Sequence, residues 1–336
     1  MRMKECLSYD DVLLAPQYSD IVSRNEVSLN SSLAPHTFQL PIISSPMDTV
    51  TGPSMADAMS EAGGLGILHR YCSVDEQAKM VLNSEASIKA AAIGVTGDYH
   101  ERALALVAMG AQVLCVDVAH GHHILMKNAL TQLRETFGTT VHIMAGNVAT
   151  LAAVNDLADW GADSVRCNIG GGSICSTRIQ TGHGLPGLQT LFDCSRTDRD
   201  VTIIADGGIR TSGDAVKALA AGADFVMLGS MLAGTIETPG RVIHGPDGRI
   251  RKIYRGMASK EAQVDWRGKH SSHEGVATTV PAAGPVLNVL GDIKNGIRSG
   301  LSYSGARCIR ELQSKACFVR QTDAGTVESA PHILLK

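Results

Sequence analysis

The sequence has no long hydrophobic run, no excess of basic charge and few aromatic residues. Its apolar stretches stay below the roughly 18 residues of a membrane-spanning helix, and its start lacks the basic, apolar and small-residue succession of a secretory signal. The formal charge is -3, from 30 lysines and arginines against 33 acidic residues, which indicates no surface for nucleic acid or anionic membranes. We therefore expect a cytoplasmic protein with no nucleic-acid and no membrane partner.

The eight cysteines lack the spacing of a metal site or a disulfide framework. They are scattered from Cys6 to Cys317, without a CxxC pair or a histidine at metal-ligand spacing. A cytoplasmic protein keeps such thiols reduced, so we expect at most one or two of them to be reactive.

What the sequence does have is an alternation of short apolar runs and helix-like segments. Runs that are apolar throughout suit strands buried on both faces of a parallel sheet. Eight strand and helix units in 336 residues predict an α/β fold, a (β/α)8 TIM barrel forming a single domain over residues 1–336. The predicted strands are Leu40–Ser45, Leu65–Leu68, Ala90–Val95, Val113–Val118, His142–Ala145, Ser164–Ile169, Thr202–Ala205 and Phe225–Leu228.

The loops after the seventh and eighth strands carry glycine motifs. In TIM barrels these loops often bind phosphate through backbone N–H groups and a helix N-terminus. Here they read Asp206-Gly-Gly208 and Gly229-Ser230. Each motif alone favours a tight turn, but their coincidence in the two expected loops predicts a phosphorylated ligand.

The stretch Cys167–Gly184 follows the sixth strand and combines three consecutive glycines with Ser173, Cys175, Thr177 and Arg178. Glycines let a backbone approach a ligand closely, and a thiol just beyond such a turn can be exposed at the mouth of the fold. A buried structural cysteine is the alternative for Cys175. The glycines, hydroxyls and guanidinium together favour a reactive site.

After the eighth strand the regular alternation ends. The segment Val242–Tyr254 predicts a hairpin turned at Pro246–Gly248, and the polar stretch through Trp266 to Glu274 predicts irregular backbone. Because a long loop with an ordered return is typical of an active-site lid, we predict a hairpin and lid inserted at residues 235–280. Glu274 could reach the site as an acid or base, although on its own it is better explained as a solvated glutamate.

Several motifs occur in the same order in one known family. They are the loop Asn168–Gly184 and the segments Tyr9–Pro16, Ser45–Val50, Ala145–Asn147, Ile204–Ile209, Met227–Ser230 and Tyr254–Met257. This set, which covers nearly the whole chain, resembles the inosine monophosphate dehydrogenase and guanosine monophosphate reductase family.

The resemblance implies a barrel that binds a purine mononucleotide and a nicotinamide cofactor, usually within a homotetramer. It implies a covalent step at Cys175, with Thr177 and Glu274 relaying a proton. The residues implied to hold the nucleotide are Ser45, Met47, Ser173, Asp206, Gly208, Gly229, Ser230, Tyr254, Gly256 and Met257. Those implied for the cofactor are Arg70, Asp117, Asn147 and Ser259. A monovalent cation, K+, is implied at the backbone carbonyls of Gly170, Gly172 and Cys175.

Two absences favour the reductase over the dehydrogenase. The dehydrogenase normally carries a pair of regulatory cystathionine-synthase-like (CBS) modules after the second strand, whereas here Tyr71–Ser73 leads through one helix to Ala90. It also carries a water-activating Arg-Tyr pair on a long flap, and the segment before Glu274 has only Trp266-Arg267. We therefore predict NADPH-dependent reductive deamination of GMP to IMP and ammonia, a purine salvage reaction. The alternatives are an IMP dehydrogenase without CBS domains, which converts IMP and NAD to XMP, and a catalytically inactive purine-nucleotide-binding regulator.

Two residues of the loop depart from the family pattern. Asn168 and Gly171 stand where the family usually has glycine and proline. We expect these departures to alter the stiffness of the loop and the cation site beside it.

Overall fold

Eight parallel strands close into a barrel, in the order in which they follow one another along the chain. The computed structural model describes residues 3–245, 248–269, 273–331 and 333. The barrel strands are Ile42–Ser44, Leu65–Leu68, Ala90–Ile93, Val113–Asp117, His142–Val148, Ser164–Cys167, Thr202–Asp206 and Phe225–Leu228. The eighth strand pairs with the first, with Leu228 beside Ser44, and this closes the ring. The predicted (β/α)8 barrel is confirmed.

A helix follows each strand. Several begin at a residue whose side chain accepts a hydrogen bond from the first turn: Ser73 accepts from the Glu76 amide, and Thr150 and Thr211 cap their helices in the same way. The eight helices are Pro53–Glu61, Val74–Asn83, Tyr99–Ala108, Ile124–Phe137, Leu151–Asp159, Gly187–Cys194, Ser212–Ala220 and Val286–Tyr303. Further helices are Thr177–Thr181, Lys260–Arg267, Ile309–Lys315 and Asp323–Glu328, with short 3-10 turns at Tyr9–Asp11 and Arg24–Glu26.

The core has two layers. One lies between the strands and the helices, and the other fills the barrel interior with strand residues such as Ile67 and Met144. Leu33 and Phe38 join the interior from a hairpin formed by Ser31–Leu33 and His36–Phe38. The Phe38 ring meets Phe225, the first residue of the eighth strand, edge to face at 5.7 Å. The hairpin therefore plugs the amino end of the barrel, and the carboxyl end is left for a site.

The segment after the eighth strand forms more regular structure than predicted. The strands Val242–His244, Ile250–Arg255 and Ala277–Pro281 form an antiparallel sheet, of which the first two are the predicted hairpin. Pro246 and Asp247 of the predicted turn lie outside the described residues, as do residues 270–272. The expectation of irregular backbone is wrong for Lys260–Arg267, which is a helix. Ser259 caps its start, and Gly268, with φ of 70°, ends it.

The first and last parts of the described chain meet on the outside of the barrel. Val12–Leu14 pairs antiparallel with Phe318–Arg320. Among the described residues, no helix combines the length and apolarity needed to cross a bilayer.

Candidate active site

A cavity of about 240 Å³ opens at the carboxyl ends of the barrel strands. The end of the fifth strand and the loops after the first, fourth, sixth, seventh and eighth strands contribute to its walls, together with parts of segments 254–258 and 274–275. Every residue predicted to hold the nucleotide lines it: Ser45, Met47, Ser173, Asp206, Gly208, Gly229, Ser230, Tyr254, Gly256 and Met257. The three predicted catalytic residues line the same cavity.

Cys175, Thr177 and Glu274 form one hydrogen-bonded chain. The Cys175 thiol donates to Thr177 Oγ1 at 3.2 Å, and the Thr177 hydroxyl donates to Glu274 Oε2 at 2.8 Å. Thr177 is buried, while Cys175 and Glu274 are partly exposed. The cysteine is thus not an inert core thiol, and the glutamate is not a free surface carboxylate. A proton can pass along this chain from sulfur to carboxylate.

Main-chain contacts bring Glu274 to the thiol across about a hundred residues of sequence. Gly275 forms isolated β-bridges with both Cys175 and Ser259. The Ser176 amide donates to the Glu274 carbonyl at 2.9 Å, and the Glu274 amide donates to the Ala258 carbonyl at 3.1 Å. The position of the carboxylate is therefore set by backbone pairing, not by a flexible loop end.

Glycines leave space in the cavity wall at the loops after the seventh and eighth strands. Gly207 and Gly208 have φ of 86° and 79°, which side chains rarely adopt. A Cβ at Gly229 would lie 3.2 Å from Tyr254 Oη and 3.4 Å from Met47 Sδ, so its absence leaves room beside both. Burial raises the pKa of Tyr254, which keeps the phenol protonated as a hydrogen-bond donor.

Arg166 is a site residue that the sequence reasoning missed. Its guanidinium donates to Asp117 Oδ1 at 2.7 Å and to Asp206 Oδ2 at 2.9 and 3.1 Å, and its side chain is only 6% exposed. Asn147 Nδ2 also donates to Asp206 Oδ2, at 2.8 Å. Arg166 thus lies between two carboxylates at the ends of the fourth and seventh strands and neutralises their charge. The available signal was a charged residue in the middle of a predicted barrel strand.

A second cavity, of about 330 Å³, adjoins the first. The two share part of their walls, including Asp117, Asn147 and Met257. Its outer side is both cationic and aromatic, because the Arg70 guanidinium lies 5.0 Å from the Tyr71 ring centroid and 5.7 Å from that of Trp266. Arg70 also donates to the Asp117 carbonyl at 3.2 Å.

Three of the four predicted cofactor residues, Arg70, Asp117 and Asn147, line this second cavity. Ser259 lines neither cavity. It is fully buried, and its hydroxyl accepts the Ala262 amide at the start of the helix. Because the hydroxyl is used for capping, it is not free to contact a cofactor, and a role for Ser259 in cofactor binding stays a prediction.

The predicted cation carbonyls belong to the turn that carries Cys175. Gly170 has φ of 77°, and the Gly172 carbonyl accepts the Cys175 amide at 3.1 Å. A carbonyl oxygen has a second lone pair, so this bond leaves Gly172 able to ligate a cation. No cluster of three or more histidine, cysteine or acidic metal ligands occurs in the described ranges.

The fold and the site are those of a TIM-barrel enzyme with its chemistry on the loops after the strands. Residues 6–332 match the family model described as the IMP dehydrogenase / GMP reductase domain. The chain belongs to this family of oxidoreductases of purine metabolism, which use a nicotinamide cofactor.

Relatives of both names are similar to the chain. An inosine-5'-monophosphate dehydrogenase of Nitrosopumilus maritimus is 33% identical over 476 aligned positions that cover 100% of both chains. A GMP reductase of Leishmania major is 33% identical over 483 positions that cover 99% of this chain and 98% of the relative. A solved GMP reductase of Trypanosoma brucei, a cysteine-to-alanine variant in complex with guanosine 5'-monophosphate, superposes with a TM-score of 0.93 at 33% identity, covering 98% of each chain.

Chain length does not separate the two activities among these relatives. Both alignments run well beyond the 336 residues of this chain, to 476 and 483 positions. Relatives of either name therefore carry segments that this chain lacks. The shortness of this chain therefore does not by itself favour the reductase over the dehydrogenase.

Proposed function

We propose that the protein is a GMP reductase, which converts GMP, NADPH and two protons to IMP, NADP+ and ammonium. The observation that carries this proposal is the hydrogen-bonded chain from Cys175 through Thr177 to Glu274. A relay that ends in a carboxylate suits the protonation of a leaving amine. The similarity to a reductase solved with GMP, and the lack of an Arg-Tyr pair before Glu274, support the same choice.

The proposed reaction begins with proton transfer from Cys175 through Thr177 to Glu274. The thiolate attacks C2 of the guanine ring and forms a C–S bond, while the π electron pair of the C2=N3 double bond moves to N3, which takes a proton from solvent. Glu274 then returns a proton through Thr177 to the amino group on C2. The C2–N bond breaks with release of ammonia, which leaves far more readily than amide ion, and a thioimidate remains on Cys175.

We propose that the second cavity would hold the nicotinamide cofactor, because Asp117, Asn147 and Met257 border both cavities. When bound, NADPH supplies the hydride that C2 accepts. The C–S bond then breaks and Cys175 leaves as thiolate. Arg70 is proposed to bind an anionic part of the cofactor, since its guanidinium borders the same cavity.

The nucleotide is proposed to bind with its phosphate at the backbone amides near Gly208, Gly229 and Ser230. Asp206, an anion, is assigned to the ribose hydroxyls, because like charges repel a carboxylate from phosphate. Residues 235–280 serve as hairpin and lid of a single barrel domain, and K+ bound at the loop carbonyls would hold the turn before Cys175. We propose that the enzyme works as a homotetramer in the cytoplasm.

The test offers the enzyme GMP with NADPH and, separately, IMP with NAD, and follows the nicotinamide absorbance. We expect GMP-dependent oxidation of NADPH with release of ammonia. Cys175→Ala should abolish turnover while GMP still binds, and substantial residual turnover would exclude the covalent step. Robust IMP oxidation without GMP reduction would identify a dehydrogenase, and tight nucleotide binding without either turnover would identify a regulator.

A further inference from the structure

Asn168 has a backbone conformation that side chains rarely adopt. Its φ is 145°, and the residue is 4% exposed. Such a strained conformation persists only where the surroundings over-determine it, often at functional sites. The contacts of Asn168 are therefore expected to hold its backbone in this conformation.

The contacts of Asn168 join three parts of the chain around the cavity. Its Nδ2 donates to the Gly207 carbonyl at 3.2 Å, and its Oδ1 accepts from Arg178 Nη2 at 3.4 Å. Its own carbonyl accepts from Asn147 Nδ2 at 3.1 Å. One residue thus connects the end of the fifth strand, the loop after the seventh strand and the helix that follows Cys175.

The side chain of Asn168 also occupies the space beside Gly171. A Cβ built at Gly171 would lie 2.1 Å from Asn168 Nδ2 and 2.7 Å from its Cγ. These are closer than real Cβ contacts, and the hydrogen bonds to Gly207 and Arg178 oppose any withdrawal of the amide. Gly171 is not among the glycines with left-handed φ. Volume, not backbone conformation, therefore requires glycine at this position.

We propose that Asn168 is a positioning residue for the catalytic thiol. Its amide fills the space between Gly171 and Gly207 and fixes the turn that leads to Cys175, and position 171 is glycine because Asn168 is there. The two departures from the family pattern then compensate each other: position 171 has no side chain, and the side chain of Asn168 fills the space that this leaves. The kinetic part of this inference rests on the proposed function; the placement of the thiol does not.

The experiment is a double-mutant cycle with Gly171→Ala, Asn168→Gly and the double variant. Two rates are measured: kcat with GMP and NADPH, and alkylation of Cys175 by iodoacetamide, followed by mass spectrometry of its peptide so that other thiols do not contribute. We expect Gly171→Ala to lower both rates about tenfold or more, and the added Asn168→Gly to recover most of that loss. Asn168→Asp keeps the shape but removes the donor to the Gly207 carbonyl, and it should lower kcat with little change in the KM for GMP.

A Gly171→Ala variant as fast as the parent in both rates, or a double variant no faster than Gly171→Ala, would overturn the inference. A Gly171→Ala chain that folds only when Asn168→Gly is also present would support it. Coupling seen in the alkylation rates of a protein that does not reduce GMP would support the positioning role and refute the proposed reaction, so the two failures are distinguishable.

Discussion

Replacing Glu274 by glutamine tests the proton relay with little change of shape. Thr177 donates to Glu274 Oε2 at 2.8 Å, and the amide oxygen of glutamine can accept the same bond. The backbone bonds of residue 274 to Ser176 and Ala258 do not involve its side chain. What the variant loses is the capacity to take a proton and return it.

The expected loss follows from that single change. One positioned acid or base contributes about 10²–10⁴-fold to a rate, or about 2.7–5.4 kcal/mol of barrier. We therefore predict that ammonia release falls by about that factor. The affinity for GMP should change less than about threefold, because the loops proposed to hold phosphate and ribose are untouched.

The assay measures ammonia in a rapid-quench single turnover and GMP binding by calorimetry. Thr177→Val interrupts the same chain at its middle and should lower ammonia release to a similar degree. Because the groups act in series, the double variant should be little slower than either single one. An unchanged rate in Glu274→Gln, or losses that simply add in the double variant, would refute the relay.

Two further predictions concern buried cations. Arg166→Met leaves the carboxylates of Asp117 and Asp206 without their shared partner. The free energy of unfolding should therefore fall by about 3–5 kcal/mol in denaturant titrations. A loss below about 1 kcal/mol would contradict the assigned pairing. Lys252 is 5% exposed, and its Nζ donates to three carbonyls of residues 235–238 at 2.6 to 3.3 Å. Lys252→Met fills a similar space without donors and should destabilise the protein by about 1–3 kcal/mol, with faster amide exchange around those carbonyls; unchanged exchange would count against this anchoring.

The barrel could be predicted because its strands are apolar on both faces and its helices start at recognisable caps. Two strands, Leu65–Leu68 and Phe225–Leu228, have the predicted ends. The sixth strand ends at Cys167 instead of Ile169, because Asn168 leaves the extended conformation. Such an end depends on the loop contacts of one residue, and hydropathy carries no information about them.

The misses have physical reasons as well. The helix Lys260–Arg267 was missed because its residues are mostly polar, although Ser259 and Gly268 are typical residues for the start and the end of a helix. Arg166 was read as part of an apolar strand, although two largely buried aspartates at strand ends of the same barrel favour a cation between them. The meeting of Glu274 with Cys175 depends on long-range backbone pairing, and only the family resemblance could anticipate it.

The pairing of Gly275 with the catalytic loop also limits how this sequence can evolve. A Cβ at Gly256 would meet the Gly275 Cα at 3.5 Å, which is an ordinary contact, whereas one at Gly275 would lie 3.2 Å from the Ser259 backbone nitrogen. That distance is tighter than nine in ten real Cβ contacts, and the neighbouring atom is backbone. Position 275 should therefore be the more constrained of the two: in natural homologues or in a selected library, alanine should occur at position 256 more often than at position 275.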